Sequence, residues 1–147
     1  MYGKVLIPLD GSDQAEVVFS LIREDLSTES QVILLKVIPR SKTQVVMGFI
    51  LPRRVEETEK SDQALSYLRS AVRILGGDPD RWDQWRCIVE LSDNLSQSIL
   101  ECASRESVDL IAMNDRYGGG IARFMKGGVA SEVQRRALME VKVFNLL

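Results

Sequence analysis

At 147 residues, with 19 basic and 21 acidic side chains for a formal charge of −2, the chain has the size of one ordinary domain, assigned here to residues 1–147. Both signs are spread along it, which argues against a nucleic-acid binder that works through a basic face. The absence of histidine removes Ser-His-Asp and Cys-His nucleophiles, the H-E-x-x-H zinc site and every histidine base.

No apolar run reaches membrane-spanning length, and the N-terminus lacks the order of a signal peptide, so a soluble, unexported protein with no membrane partner is expected. Cys87 and Cys102 fall in apolar patterns without C-x-x-C spacing. They read as structural thiols in a reduced, cytoplasmic setting.

The first element in chain order is a strand over Lys4–Leu9, apolar on both faces and stopped by Asp10-Gly11-Ser12. Ser12 is a candidate N-cap for a helix to about Glu24, with Ala15, Val18, Phe19 and Ile22 on one face. Gln31–Ile38 predicts a second buried strand. Arg40–Arg54 holds the apolar segment Val45–Leu51, either a core-covering loop or short extra element, or a flap over a ligand or partner chain. A helix is predicted from about Val55 to Leu75, ended by Gly76-Gly77, then a third strand over Trp82–Leu91. A helix over Leu95–Ser104, a strand over Asp109–Met113, a helix from Gly128 to about Leu138 and a strand over Val141–Leu146 complete the order.

Alternating strands and helices predict an α/β fold: a single-domain, doubly wound, five-stranded parallel sheet with helices on both faces, Rossmann-like in kind. Ligands of such sheets bind outside the carboxyl ends of the strands, at the switch point in strand order. Asp10 and the loop from Asn114 to Lys126 both belong on that edge. The loop's far end is a helix start, whose free amides and partial positive charge suit a phosphate. Gly118, Gly119 and Gly120 permit tight turning, and Arg116, Arg123 and Lys126 add cationic reach. The same features also describe a connector with solvated charges, and Asp10 is equally a carboxylate bonded to nearby turn amides.

Lys4-Val5-Leu6-Ile7-Pro8-Leu9-Asp10-Gly11-Ser12, Ser98–Ala103 with Asp109–Met113, and the loop ending in Gly127-Gly128-Val129-Ala130 together resemble the universal stress protein family over essentially the whole chain. The resemblance implies a nucleotide cleft built from Pro8, Asp10, Ile38, Met113, Asn114, Tyr117, Gly127, Gly128 and Val129. It also implies a homodimer through the last strand, to which Val141, Val143 and Leu146 contribute. The family's ATP-binding branch carries G-x2-G-x9-G-[ST], whose positions fall on Asn114, Tyr117, Gly127 and Gly128, so one of the four is kept. Tyr117 adds bulk where backbone closeness is needed, and Gly128 lacks the hydroxyl. Loss of two charge-assisted hydrogen bonds weakens binding roughly a hundred-fold or more. Asn114 tolerates the left-handed conformation open to the lost glycine, and Gly127 keeps the helix-end amides.

The implied function is a dimeric stress-response regulatory or protective module with a degenerate nucleotide loop and no tightly bound cofactor. The alternative is a sensor that binds ATP, ADP or AMP in the same cleft. An enzyme is not expected: no nucleophile–base pair is evident, and Asp10-Gly11-Ser12-Asp13 only faintly echoes the S-G-G-x-D-S loop of adenylating ligases. A flavodoxin-like electron carrier fits less well, because the turn after strand one is too short and too acidic for its phosphate loop.

Overall fold

The computed structural model describes residues 1–12, 15–40, 44–46, 49–51, 53–118 and 128–145. In chain order the elements are β1 (Tyr2–Leu9), α1 (Ala15–Ile22) with a 3₁₀ turn (Arg23–Asp25), β2 (Leu26–Ile38), β3 (Gln44–Val46), β4 (Phe49–Leu51), α2 (Arg53–Ile74), β5 (Trp85–Leu91), α3 (Leu95–Arg105), β6 (Leu110–Asn114), α4 (Gly128–Arg136) and β7 (Glu140–Phe144). The main sheet is parallel, in the order β5-β2-β1-β6-β7. β1 and β2 sit near its centre, so they must be apolar on both faces, as their Val-Leu-Ile runs are.

Alternate residues serve opposite faces. Leu6, Ile33, Leu35, Val37, Ile111 and Met113 pack with Ile99, Cys102 and Ala103 of α3 and Val129, Ala130 and Val133 of α4. Val5, Ile7, Leu9, Val32, Leu34 and Ala112 pack with Val18 and Ile22 of α1 and Leu68, Ala71 and Val72 of α2. Two helices thus cover each face, the doubly wound arrangement expected from the element order.

From β1 the chain moves outward through β2 to β5, then returns past β1 to β6 and β7, so the switch point lies between β1 and β6. The ladder joining those two strands is recorded at Val5–Leu110 and Leu6–Ile111, although β1 runs on to Leu9 and β6 to Asn114. Their carboxyl ends are therefore not held by ladder bonds, and a crevice opens there.

Several expectations shift. β2 begins at Leu26, not Gln31: pairing jumps from Tyr2–Leu26 to Lys4–Gln31, and Ser30 Oγ donates to the Tyr2 carbonyl at 2.6 Å inside that irregularity. The third strand begins at Trp85. Residues 78–84 form a turn in which Asp78 accepts from the Asp80 amide at 2.9 Å, and Trp82 is 73% exposed. In the apolar segment Val45–Leu51, β3 and β4 pair antiparallel as a separate two-stranded sheet, and residues 47 and 48 lie outside the described residues. The final strand ends at Phe144, and Leu146 lies outside the described residues.

Asn94 caps α3, its Oδ1 accepting from the Gln97 amide at 3.1 Å and from Ser96 Oγ at 3.1 Å. Asn94→Ala is expected to lower unfolding free energy by about 1 kcal/mol, through one orphaned helix amide. Urea denaturation checks it: the midpoint falls while the slope stays unchanged.

Candidate functional site

The crevice at the β1–β6 switch point is a cavity of ≈ 500 Å³. Asp10, Gly11 and Ser12 bring the end of β1 to it, Lys36 and Val37 the end of β2, Leu95 the start of α3, and Tyr117 and Gly118 the turn after β6. The volume falls within the usual range for small-molecule sites.

Asp10 holds the two lips together. Its Oδ1 accepts from the Ser12 amide at 3.0 Å and the Ser12 hydroxyl at 2.6 Å, and its Oδ2 accepts from the Gly118 amide at 3.2 Å. Burial works to raise the Asp10 pKa, but the Ser12 hydroxyl and the amides of Ser12 and Gly118 outweigh it and hold the carboxyl below its ordinary value. Ser12 gives its hydroxyl proton to Asp10; residues 13 and 14, between it and the α1 it was expected to cap, lie outside the described residues. The two residues are close in sequence and form a compact turn before the helix begins.

After β6 the chain turns on Asn114, which is buried. Its Oδ1 accepts from the Arg116 amide at 2.8 Å, and its carbonyl accepts from the Tyr117 amide at 3.1 Å. Among the described non-glycine residues only Ser107 has positive φ, so Asn114 does not take over the left-handed conformation of the family's glycine. It builds the turn by side-chain acceptance instead. Gly118, whose own amide reaches Asp10, turns the chain there at φ 91°.

Tyr117 is only 4% exposed. It packs in the α3/α4 core and lines the cavity. Burial, the Asp10 charge and Tyr67 all push its phenol far above the usual range. Gly128, the first residue of α4, has φ 66°. A serine there would meet the steric penalty of the left-handed region, so a backbone change accompanies the missing hydroxyl.

Of the remaining residues implied by resemblance, Pro8 and Met113 are buried in their strands, and Val129 belongs to the α3/α4 core. Ile38 is buried at the end of β2, where its carbonyl accepts from the Ser92 amide at 2.9 Å; it does not line the cavity. Gly127, Gly119, Gly120, Arg123 and Lys126 lie outside the described residues, and Arg116 is exposed.

Lys36 is the residue that sequence reasoning passed over. It follows β2's buried run, pairs in register with Leu9, and extends over the Tyr67 ring with Nζ 6.0 Å from the centroid. Burial lowers its pKa, while the Asp10 charge opposes that shift. The signal was a single charge at the ligand-binding end of the Val-Ile-Leu-Leu-Lys-Val-Ile run.

Among the described residues no group of histidine, cysteine or carboxylate side chains is arranged to hold a metal, and no helix is long and apolar enough to cross a membrane. Cys102 is fully buried and its thiol is pushed up to about 11 by burial, whereas Cys87 is partly exposed.

A parallel sheet with its crevice between β1 and β6 defines a nucleotide-binding-type α/β architecture. Residues 1–144 match the model of the universal stress protein family, and the chain belongs to that family. Among solved structures, it resembles the hypothetical protein MJ0577, a test case for structure-based assignment of biochemical function, at 22% identity, covering 100% of this chain and 98% of that one with a TM-score of 0.71. A universal stress protein in complex with cAMP matches at 16% identity, 98% and 97% coverage and a TM-score of 0.66. The universal stress protein from Archaeoglobus fulgidus in complex with dAMP matches at 19% identity, 97% and 97% coverage and a TM-score of 0.58. No curated protein matches the chain.

Two outcomes follow from the site. Because the folded-state pKa of Asp10 is depressed, its stabilising contribution is present above its ordinary value of 3.8 and is lost as pH falls below that. The stability difference between wild type and Asp10→Asn should therefore shrink as denaturation is repeated from neutral pH down through the carboxylate range. Iodoacetamide at neutral pH should leave Cys102 unmodified in the folded protein and label it once urea unfolds the chain, as read by peptide mass spectrometry.

Proposed function

We propose that this chain is a cytoplasmic regulatory or protective module of the stress response, acting by binding and not by catalysis, and holding no nucleotide tightly. The observation that carries the reading is the state of the cleft's two family-marked contacts. Asp10, at the position that meets the adenosine end in the binding branch, has both oxygens engaged by Ser12 and Gly118. Tyr117 places a buried ring where a glycine would let backbone approach a phosphate. Three of the roughly four acceptor positions of the Asp10 carboxylate are thus already taken from within the chain, and a nucleotide meets side-chain bulk at the other end. The absence of histidine removes histidine-based nucleophiles and bases, which fits a role in binding.

The reading includes a homodimer. β7 is an edge strand of the main sheet, and an open edge favours addition of a second strand. Val141 and Val143 pack inward against the α3/α4 core, so backbone pairing is the contact such a dimer would use. A second reading, an adenine-nucleotide sensor, is favoured by the two relatives solved with cAMP and dAMP.

Titration calorimetry with ATP and magnesium, AMP and cAMP separates them. The first reading expects dissociation constants weaker than about 100 μM, with ATP binding tightened roughly ten-fold by Tyr117→Gly. Micromolar binding by the wild-type protein establishes the sensor and overturns the first reading. Sedimentation equilibrium is expected to give a dimer at micromolar concentration; a monomer throughout refutes the edge-pairing proposal.

A further inference from the structure

The cleft's polar groups are unevenly committed. Its acceptor is used: Asp10 takes three hydrogen bonds from within the chain. Two of its donors are not. The Tyr117 hydroxyl, on a residue only 4% exposed, has no hydrogen-bond partner among the described residues, although buried phenols ordinarily find one. The partly buried Lys36 ammonium forms no salt bridge among the described residues: it stands 6.0 Å from the centroid of the Tyr67 ring, and Asp10 acts on it at longer range. Both groups line the same ≈ 500 Å³ space, beside apolar surface from Val37 and Leu95.

Two uncommitted donors in one cavity call for a ligand that brings acceptors. We propose that this cleft binds a small organic anion, a single carboxylate or phosphate on a flat apolar body, received by Lys36 and the Tyr117 hydroxyl and not by the start of α4. Lys36 supplies the charge from β2, and Tyr117 supplies a directional donor from the β6 turn. The body lies against Val37 and Leu95. Asp10 sets the upper limit on charge: its carboxylate stands in the same cavity, so each further negative charge on the ligand meets repulsion in a partly dry site. This selects a small, weakly charged anion over a triphosphate. The inference rests on the preceding reading only in taking this cleft as the functional one, and it is independent of how nucleotides bind.

The test compares matched probes on the full chain by ¹H–¹⁵N chemical-shift titration: benzoate against benzamide, and phenyl phosphate against phenol. The expected result is that at least one anion shifts the amides of Gly11, Ser12, Lys36 and Gly118, with an affinity about ten-fold above its neutral partner. Which pair responds distinguishes a carboxylate from a phosphate ligand. Lys36→Gln should erase the preference, Lys36→Arg should retain most of it, and Tyr117→Phe should weaken the anion several-fold while leaving the neutral probe unchanged. Unaltered thermal midpoints show that the variants are folded. Equal affinity within each pair, a preference that survives Lys36→Gln, or no cleft shift from any probe up to about 20 mM overturns the proposal. A micromolar ATP complex overturns the preceding reading and the exclusion of a triphosphate from this cleft, whereas the matched-probe preference and its loss in Lys36→Gln decide the proposal itself.

Discussion

One carboxylate stands where the sheet stops holding itself together. The β1–β6 ladder is recorded only at Val5–Leu110 and Leu6–Ile111, and past those pairs Asp10 reaches across to the Gly118 amide. Hydrogen bonds to a charged acceptor are individually worth about 1.5–3 kcal/mol, less where solvent screens them or, as at 3.2 Å here, where the contact is long, so the bridge acts mainly by position. It fixes the turn after β1 against the turn after β6. The shape of the cleft, the burial of Tyr117 and the approach to Lys36 all depend on that spacing.

The bridge also decides the electrostatics of the crevice. Because Asp10 is satisfied by Ser12 and Gly118, it remains a charged but occupied group, its carboxyl held below the ordinary range against the opposing pull of burial. The nearby lysine keeps a proton that burial works to remove and Asp10 helps retain. The result is a small dipolar pocket, with Asp10 acting on both Lys36 and the Tyr117 phenol. Such a site discriminates by charge and by the direction of a hydrogen bond more than by apolar area.

The chain's relation to its family follows the separation of scaffold from site. At 22% identity the fold superposes over the full chain on a solved relative, because alternation of apolar residues on two sheet faces constrains only residue class and volume. The loop after β6 carries no such constraint. Tyr117 turns inward and becomes part of the core, and Gly128 takes a φ of 66° that a serine would resist. Each departure from the family's phosphate pattern is thus absorbed by local packing or backbone geometry, leaving the sheet untouched.

The sequence by itself determined the doubly wound sheet, the number of its parallel strands, the order of its helices and the meeting of Asp10 with the β6 turn at one crevice. Those features follow from hydrophobic period, chain order and handed connections, which are readable locally. It placed the ends of elements less well. Leu26–Ser30 joins β2 through an irregular register and Trp82 falls out of β5, because pairing and exposure there depend on segments distant in the chain. Only the tertiary structure decided which residues line the cleft. Ile38 turned out buried beside it while Lys36, two positions earlier, reaches into it, and Asn114 shapes its turn through its side chain and not through a left-handed backbone. A strand's period of two tells which residues share a face, but where that face ends and a cavity begins is set by the neighbouring turns, and here by a single carboxylate contact 108 residues apart in sequence.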